Sequence, residues 1–195
     1  MTKQGYKQTE VGLIPEDWEI LSIGDSLIFK NGLNKASEFF GYGTPIVNYM
    51  DVFNNYGIRR KDIDGKVFLS REEKKNFSAQ KGDVFFTRTS ETQEEIGTSA
   101  VLLESIKDCV FSGFILRGRP KNDIVAPEYY QYCLIPQYVR TQIISTSSYT
   151  TRALTNGRFL SKVKLVIPST LTEQKAIATT LSDVDGLIAS LEQTI

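Results

Sequence analysis

No histidine occurs among the 195 residues. This excludes a Ser-His-Asp triad, a Cys-His dyad and any His-ligated metal site built from this chain alone. Only two cysteines are present, Cys109 and Cys133, and they form no CxxC pair. A zinc motif therefore has no support. Two cysteines in a chain this long fit buried free thiols in a reducing compartment better than a disulfide. No apolar run approaches the roughly 18 residues of a membrane span. The opening Met1-Thr2-Lys3-Gln4-Gly5-Tyr6 lacks the apolar stretch of a signal peptide. The expected setting is cytoplasmic, away from membranes. Neither a GxxxxGK[ST] phosphate loop nor a GxGxxG turn is present, so no nucleotide or other cofactor site is visible. Net charge is missing too: 23 Lys+Arg balance 23 Asp+Glu. A basic total, the simplest sign of a nucleic-acid partner, is therefore absent. What remains is an ordinary globular composition, 41% hydrophobic and 24% charged. The length suits one domain, or one domain with an appendage.

The zero total hides a patchwork. Residues 59–88 carry 9 basic and 5 acidic side chains, and residues 112–165 carry 8 and 2, giving +4 and +6. The three other stretches are acidic. If folding brings the two basic stretches to one side, that side attracts phosphates.

Strand and helix signals alternate along the chain. Leu13, Trp18 and Ile20 are expected to pack an opening segment onto the domain, and Pro15 bars an early helix. Pro45–Tyr49 reads as a strand after a Gly41-Tyr42-Gly43 turn. Ser70-Arg71-Glu72-Glu73 is a capping box for a short helix. Lys81-Gly82-Asp83 is a turn leading into the strand Val84–Thr87. Further strands are expected at Ser99–Leu103 and Val110–Leu116. Pro127 opens a helical stretch from Glu128 to Leu134, Pro136 interrupts it, and a second piece runs to about Ile144. Ser145–Asn156, with seven Ser or Thr in twelve residues, reads as a hydroxyl-rich loop. Val163–Pro168 is a last strand, stopped by proline. Thr170-Leu171-Thr172-Glu173 is a second capping box. After it Ile177, Leu181, Val184, Ile188, Leu191 and Ile195 recur at coiled-coil spacing, which predicts a helix with a partner-facing seam.

Catalytic signals are weak. Glu72-Glu73-Lys74 has the carboxylate-x-lysine spacing of many metal-dependent nucleases, but it lies at a capped helix start, where acidic residues favour the dipole. Asp62 and Asp64 lack a third ligand and read as turn residues. The chain does not look like an enzyme by itself.

Three blocks together resemble one family. Gly12-Leu13-Ile14-Pro15-Glu16-Asp17-Trp18-Glu19 is similar to the start of a target-recognition domain in specificity subunits of type I restriction-modification systems. Lys81–Glu91, followed by Glu95-Ile96-Gly97-Thr98-Ser99, resembles that family's middle signature. Leu165-Val166-Ile167-Pro168 through Leu171–Ala178 resembles its strand-to-helix junction. The resemblance implies an α+β fold: a mixed-strand target-recognition domain over 1–168 and a conserved dimerisation or spacer helix of coiled-coil type over 169–195. It implies a non-catalytic subunit that binds double-stranded DNA at a split target. Such a subunit directs methyltransferase (modification) subunits and a motor-nuclease (restriction) subunit. With one recognition domain and one short helix, the chain reads as a half-subunit that forms a homodimer through its helix, or as the first half of a longer one. Two other readings stay open: a recognition domain split from a fused methyltransferase-nuclease, and a protein-interaction module with a dimerisation helix and no DNA role.

The resemblance assigns no contact residues, so these come from chemistry. Lysine and arginine neutralise phosphates, while Arg, Asn and Gln make paired hydrogen bonds to base edges. The candidates are Asn31, Asn34 and Lys35 in one loop, and Arg88, Thr89 and Ser90 in a second. Thr150, Arg152, Asn156 and Arg158 lie in the hydroxyl loop. Arg59, Arg60 and Lys61 form a fourth cluster that reads as phosphate-facing. Tyr129, Tyr130 and Tyr132 read as helix packing rather than base stacking.

Overall fold

Alternation along one strand organises the molecule. In Val84–Thr87 every side chain is buried, and successive residues of a strand point to opposite faces. Val84 and Phe86 join one apolar cluster, while Phe85 joins another. The strand therefore divides two cores and reads as a continuous apolar run, as strands buried on both faces do. Truncating either phenylalanine to alanine would cost about 3–5 kcal/mol.

A computed structural model describes residues 4–192. The chain opens with an antiparallel hairpin of β1 (Tyr6–Thr9) and β2 (Gly12–Pro15). Next come β3 (Trp18–Ser22), α1 (Ile23–Ser26) and β4 (Leu27–Asn31). β5 (Phe40–Val47), α2 (Tyr49–Phe53), β6 (Gly57–Ile58) and β7 (Lys66–Val67) lead to α3 (Arg71–Asn76). The middle holds β8 (Val84–Thr87), β9 (Thr89–Ser90), β10 (Ser99–Leu102), β11 (Val110–Phe111) and β12 (Ile115–Pro120). A 3-10 turn at Pro127–Tyr129 precedes α4 (Tyr130–Cys133) and α5 (Gln137–Thr146). β13 (Ser148–Tyr149), β14 (Ala153–Leu154), α6 (Gly157–Leu160), β15 (Lys164–Pro168) and α7 (Leu171–Glu192) complete the chain. The fold is α+β.

The main sheet has the order β4-β12-β8-β10-β6. Its pairings are antiparallel except β10 with β6. Register fixes its two ends. Asn31 of β4 faces Leu116, Thr87 of β8 faces Ile115, and Ser99 of β10 faces Phe86. At the other end Leu27 faces Pro120, Val84 faces Gly118, and Leu102 faces Ile58. β15 pairs with β3, which ties the end of the domain to its beginning.

Both capping-box readings hold in part or whole. Ser70 Oγ accepts from the Glu73 N–H, and Glu73 accepts from the Ser70 N–H. Thr170 Oγ1 accepts from the Glu173 N–H, but the Glu173 carboxylate reaches outward to the Trp18 indole at 3.1 Å. The junction thus anchors the first turn of α7 to β3.

Several expectations are corrected. Leu13 is exposed and its neighbour Ile14 is buried, because the β1–β2 hairpin sets the alternation. Gly41-Tyr42-Gly43 is not a turn before a strand. It is an irregularity inside β5, where Phe40 and Thr44 both pair with Val67 and both glycines have positive φ. Tyr49 belongs to α2, capped by Asn48 and Asp51. Val110–Leu116 splits into β11 and β12 around Ser112-Gly113-Phe114, because Gly113 N–H bonds to Leu33 and turns the chain. Ser145–Asn156 is not wholly loop: it finishes α5 and forms the β13–β14 hairpin. Cys109 and Cys133 are free and buried, and burial pushes the Cys109 thiol up to about 12.

Candidate nucleic-acid interface

The end of the sheet at which β4 and β8 finish and β12 begins collects segments far apart in sequence. Leu33 bridges to Ser112, and the Gly113 N–H donates to the Leu33 carbonyl at 2.7 Å. A Cβ at Gly32 would run into the Ser112 carbonyl, and one at Gly113 into the Asn34 amide oxygen. Only glycine permits so close an approach. Arg88 Nη1 donates to the Gly113 carbonyl at 3.1 Å. Beyond Arg88, β9 pairs with β14, Ser90 opposite Ala153 and Thr89 opposite Leu154, and Thr155 N–H donates to the Arg88 carbonyl. The first, second and third candidate loops are therefore one structure.

Within it the roles differ. Asn31 and Asn34 are exposed at the end of β4. Thr150 and Arg152 are exposed at the tip of the β13–β14 hairpin, where Arg152 pairs with Glu91 at 2.9 Å. Asn156 caps α6 by accepting from the Phe159 N–H. Its exposed neighbour Arg158 lines, with Asn31, Asn156 and Lys121, a cleft of about 440 Å³ along the edge strand β4. Gly157 lets α6 sit close on Phe29, since a Cβ there would press on the Phe29 Cβ at 2.6 Å.

Four further candidates also have partners within the protein. Ser90 is buried, and its hydroxyl donates to Glu95 at 3.0 Å. Lys35 holds both oxygens of Glu73 at 2.7 and 2.8 Å and lies over the Phe39 ring. That ammonium, then the Ser70 N–H and hydroxyl, lower the Glu73 carboxyl to about 2. Arg60 Nη1 donates to the Ile63 carbonyl, and Arg59 lies 3.9 Å from Glu104. Arg59, Arg60 and Lys61 follow β6 and so stand at the opposite end of the sheet from Arg88. Their adjacency in sequence concealed that separation.

The two basic stretches interlock through β8 and β12, but much of their charge is internal. Arg119 grips the buried Asp83 with two bonds of 2.8 and 2.7 Å. Arg117 and Arg119 both donate to the Ser78 carbonyl, and burial lowers the Arg117 pKa. Arg140 donates to the carbonyls of Glu94, Ile96 and Gly97. Among the described residues no group of three or more His, Cys, Asp or Glu is placed to hold a metal.

The sequence reading missed Phe114, which projects from the turn between β11 and β12 and is 69% exposed. Its signal was Gly113, whose turn potential was overridden by the apolar run around it. Tyr129 and Tyr130 are buried as packing residues. Tyr132 donates to Asp185 of α7 at 2.9 Å.

The helix α7 changes character along its length. Gln174 and Ala178 are buried, and Gln174 Nε2 donates to the carbonyls of Ile124 and Pro168. Ile177 packs against the main core, so the first seam position faces the domain, not a partner. Leu181, Val184, Ile188 and Leu191 are exposed, and Leu187 widens their stripe. Ile195 lies outside the described residues. Among those residues no helix is long and apolar enough to cross a membrane.

An α+β domain gathers amides and guanidiniums at one end of its main sheet and carries a last helix whose distal half exposes an apolar stripe. The chain belongs to the type I restriction modification DNA specificity domain family, which matches residues 15–195. It is 28% identical over 202 residues to a Methanocaldococcus jannaschii protein described as the type I restriction enzyme MjaX specificity subunit, covering 99% of this chain and 45% of that protein. It is 22% identical over 198 residues to the MjaVIII specificity subunit of the same organism, covering 95% and 43%. The chain thus spans less than half the length of these relatives. The same fold occurs in the HsdS subunit from Thermoanaerobacter tengcongensis, with TM-score 0.64 and 15% identity over 98% of this chain and 43% of that one. The type I S subunit from M. genitalium gives 0.61 and 16% over 90% and 41%. The family match does not favour the reading as a protein-interaction module without DNA.

Proposed function

We propose that this chain is a sequence-specific DNA-binding specificity component that reads one half of a split target. It directs methyltransferase and motor-nuclease subunits to that site in the cytoplasm and is non-catalytic alone. The observation that carries this reading is the union of three separated polar loops at one end of the main sheet. Asn31, Asn34, Arg88, Thr89, Thr150, Arg152, Asn156 and Arg158 are the proposed DNA contacts. Residues 1–168 form the recognition domain, and α7 is its spacer. The exposed row Leu181, Val184, Ile188 and Leu191 pairs with another helix, from a second copy or from the other half of the subunit.

Duplex binding measured by anisotropy across a salt series tests the first part. The log–log slope should be about −0.9 per phosphate neutralised. Affinity flat in salt, with no preference among sequences, would remove the DNA reading. Methyl transfer or cleavage by the purified chain alone would overturn its non-catalytic character. Sedimentation tests the helix: Leu181→Glu with Ile188→Glu should abolish association and leave the domain folded by circular dichroism. A wild type monomeric at high concentration would leave only the other half-subunit as partner.

A further inference from the structure

Phe114 has no role in the contacts proposed above, although it stands in their midst. Among the described residues it is the most exposed large apolar side chain, at 69%. A single exposed apolar residue is ordinary on a protein surface. The turn that carries this one is not ordinary, because three other segments hold it. Ser112 N–H donates to the Val47 carbonyl at 3.0 Å, and Gly113 N–H to Leu33 at 2.7 Å. Arg88 donates to it twice, from Nη1 to the Gly113 carbonyl at 3.1 Å and from its N–H to the Phe114 carbonyl at 3.4 Å. Gly32 and Gly113 are packed so closely that neither admits a Cβ without displacing backbone or the Asn34 amide. The fold thus presents an aromatic ring on a rigid support, flanked by the amide of Asn34 and the guanidinium of Arg88.

Those neighbours suit polar base edges, and an apolar side chain among them has one matching feature in the major groove. Of the four bases only thymine displays a methyl group there, and phenylalanine is among the side chains that contact it. We infer that Phe114 is a specificity-determining residue that packs on a thymine 5-methyl in the recognised half-site. The inference rests on the DNA reading above.

Deoxyuridine separates the two, because it keeps the pairing and removes only the methyl. The full chain is first used to recover duplexes from a randomised pool. Thymines of the recovered duplex are then replaced one at a time by deoxyuridine. For wild type, replacement at one or two positions should weaken binding about tenfold, the low end for losing a methyl-sized contact. Phe114→Ala should bind the unmodified duplex about tenfold more weakly and show no further loss at those positions. Phe114→Leu should retain part of the deoxyuridine penalty, and its melt should match wild type, which excludes misfolding. Recovery of a defined sequence by wild type with no deoxyuridine penalty overturns this inference alone. So does a Phe114→Ala protein with the same penalties as wild type. Failure of wild type to recover any sequence overturns the DNA reading with it.

Discussion

The two ends of the five-stranded sheet both carry arginine and lysine and differ in what these side chains face: Arg152 at one end pairs with the exposed Glu91, whereas Arg119 at the other is fixed to a buried carboxylate. Where β4 and β8 finish, Arg158 has no ion pair among the described residues, and Asn31 and Asn34 face solvent. Where β8 starts, Arg119 is fastened to the buried Asp83, and Arg60 folds back on the Ile63 carbonyl. A cation near an unsatisfied acceptor is drawn inward, because a buried carboxylate or carbonyl without a partner is costly. Availability to phosphate therefore depends on what the topology leaves beside each side chain, not on how many cations adjoin in sequence.

The sharpest break in this comparison comes from Asp83. It is 1% exposed, accepts two bonds from Arg119 and also accepts from the Gln80 N–H at 2.7 Å. Asp83→Ala takes the carboxylate from Arg119, which is a quarter exposed and keeps the Ser78 carbonyl, and removes the acceptor of the Gln80 N–H, a loss of about 1–3 kcal/mol. Urea unfolding should show that loss, while duplex affinity of the folded protein stays near wild type. A cost below about 1 kcal/mol would mean that solvent already screens Arg119 and that the inward end is not so different from the outward one.

The next effect belongs to the outward end. Asn31→Ala should reduce discrimination of the preferred duplex by about 1–3 kcal/mol if the amide pairs with a base edge. Arg158→Ala should lower affinity on all duplexes and shrink the salt slope by about 0.9 if the guanidinium faces a phosphate. Arg59→Ala and Lys61→Ala, at the other end, should change affinity by less than about twofold, since charges more than a Debye length from the duplex are screened. Anisotropy titrations of the four variants decide it. Equal losses from both ends would mean that the duplex spans the sheet.

Local signals were legible where the physics is local. The capping box at Ser70 depends on residues three apart, and the turn at Lys81-Gly82-Asp83 on one glycine with positive φ. The strand at Val84–Thr87 and the terminal helix likewise follow from short-range pattern. Features set by pairing were not legible. Gly41 and Gly43 look like a turn, but pairing with β7 keeps them inside a strand. Ile177 continues the helical seam by spacing, yet the first two turns of α7 lie on the domain and turn it inward. The candidate interface was visible as three loops rich in amide, hydroxyl and guanidinium. Their union was not, since it needs the pairing of β9 with β14, over 60 residues apart in the chain. Phe114 sits in an apolar run that reads as one strand, and its single local signal, Gly113, does not show that Leu33 approaches there.

The smallest effect concerns Lys35, which lies in the first loop but behaves like the inward cations. Its ammonium bonds both oxygens of Glu73, and with Ser70 it lowers that carboxyl to about 2. The unfolded value of a glutamate is about 4.3. A group whose folded pKa is depressed contributes stability above the unfolded value and loses it as pH falls through the folded one. The contribution from Glu73 should therefore be complete at neutral pH and decline between about 4 and about 2. Because Glu73 is only half-buried and solvent screens the pair, the effect is read best as its own titration by NMR, not as a melting shift. Lys35→Met should raise the Glu73 pKa toward the ordinary range without reaching it, since the Ser70 N–H bond at 2.8 Å remains. Duplex affinity should change less than for Arg158→Ala, because the ammonium is already neutralised by its carboxylate. If Glu73 titrates at the ordinary value in wild type, the pair is not formed in solution. If Lys35→Met also weakens duplex binding as much as Arg158→Ala, Lys35 belongs with the outward residues, and the division between the two groups of cations fails at this loop.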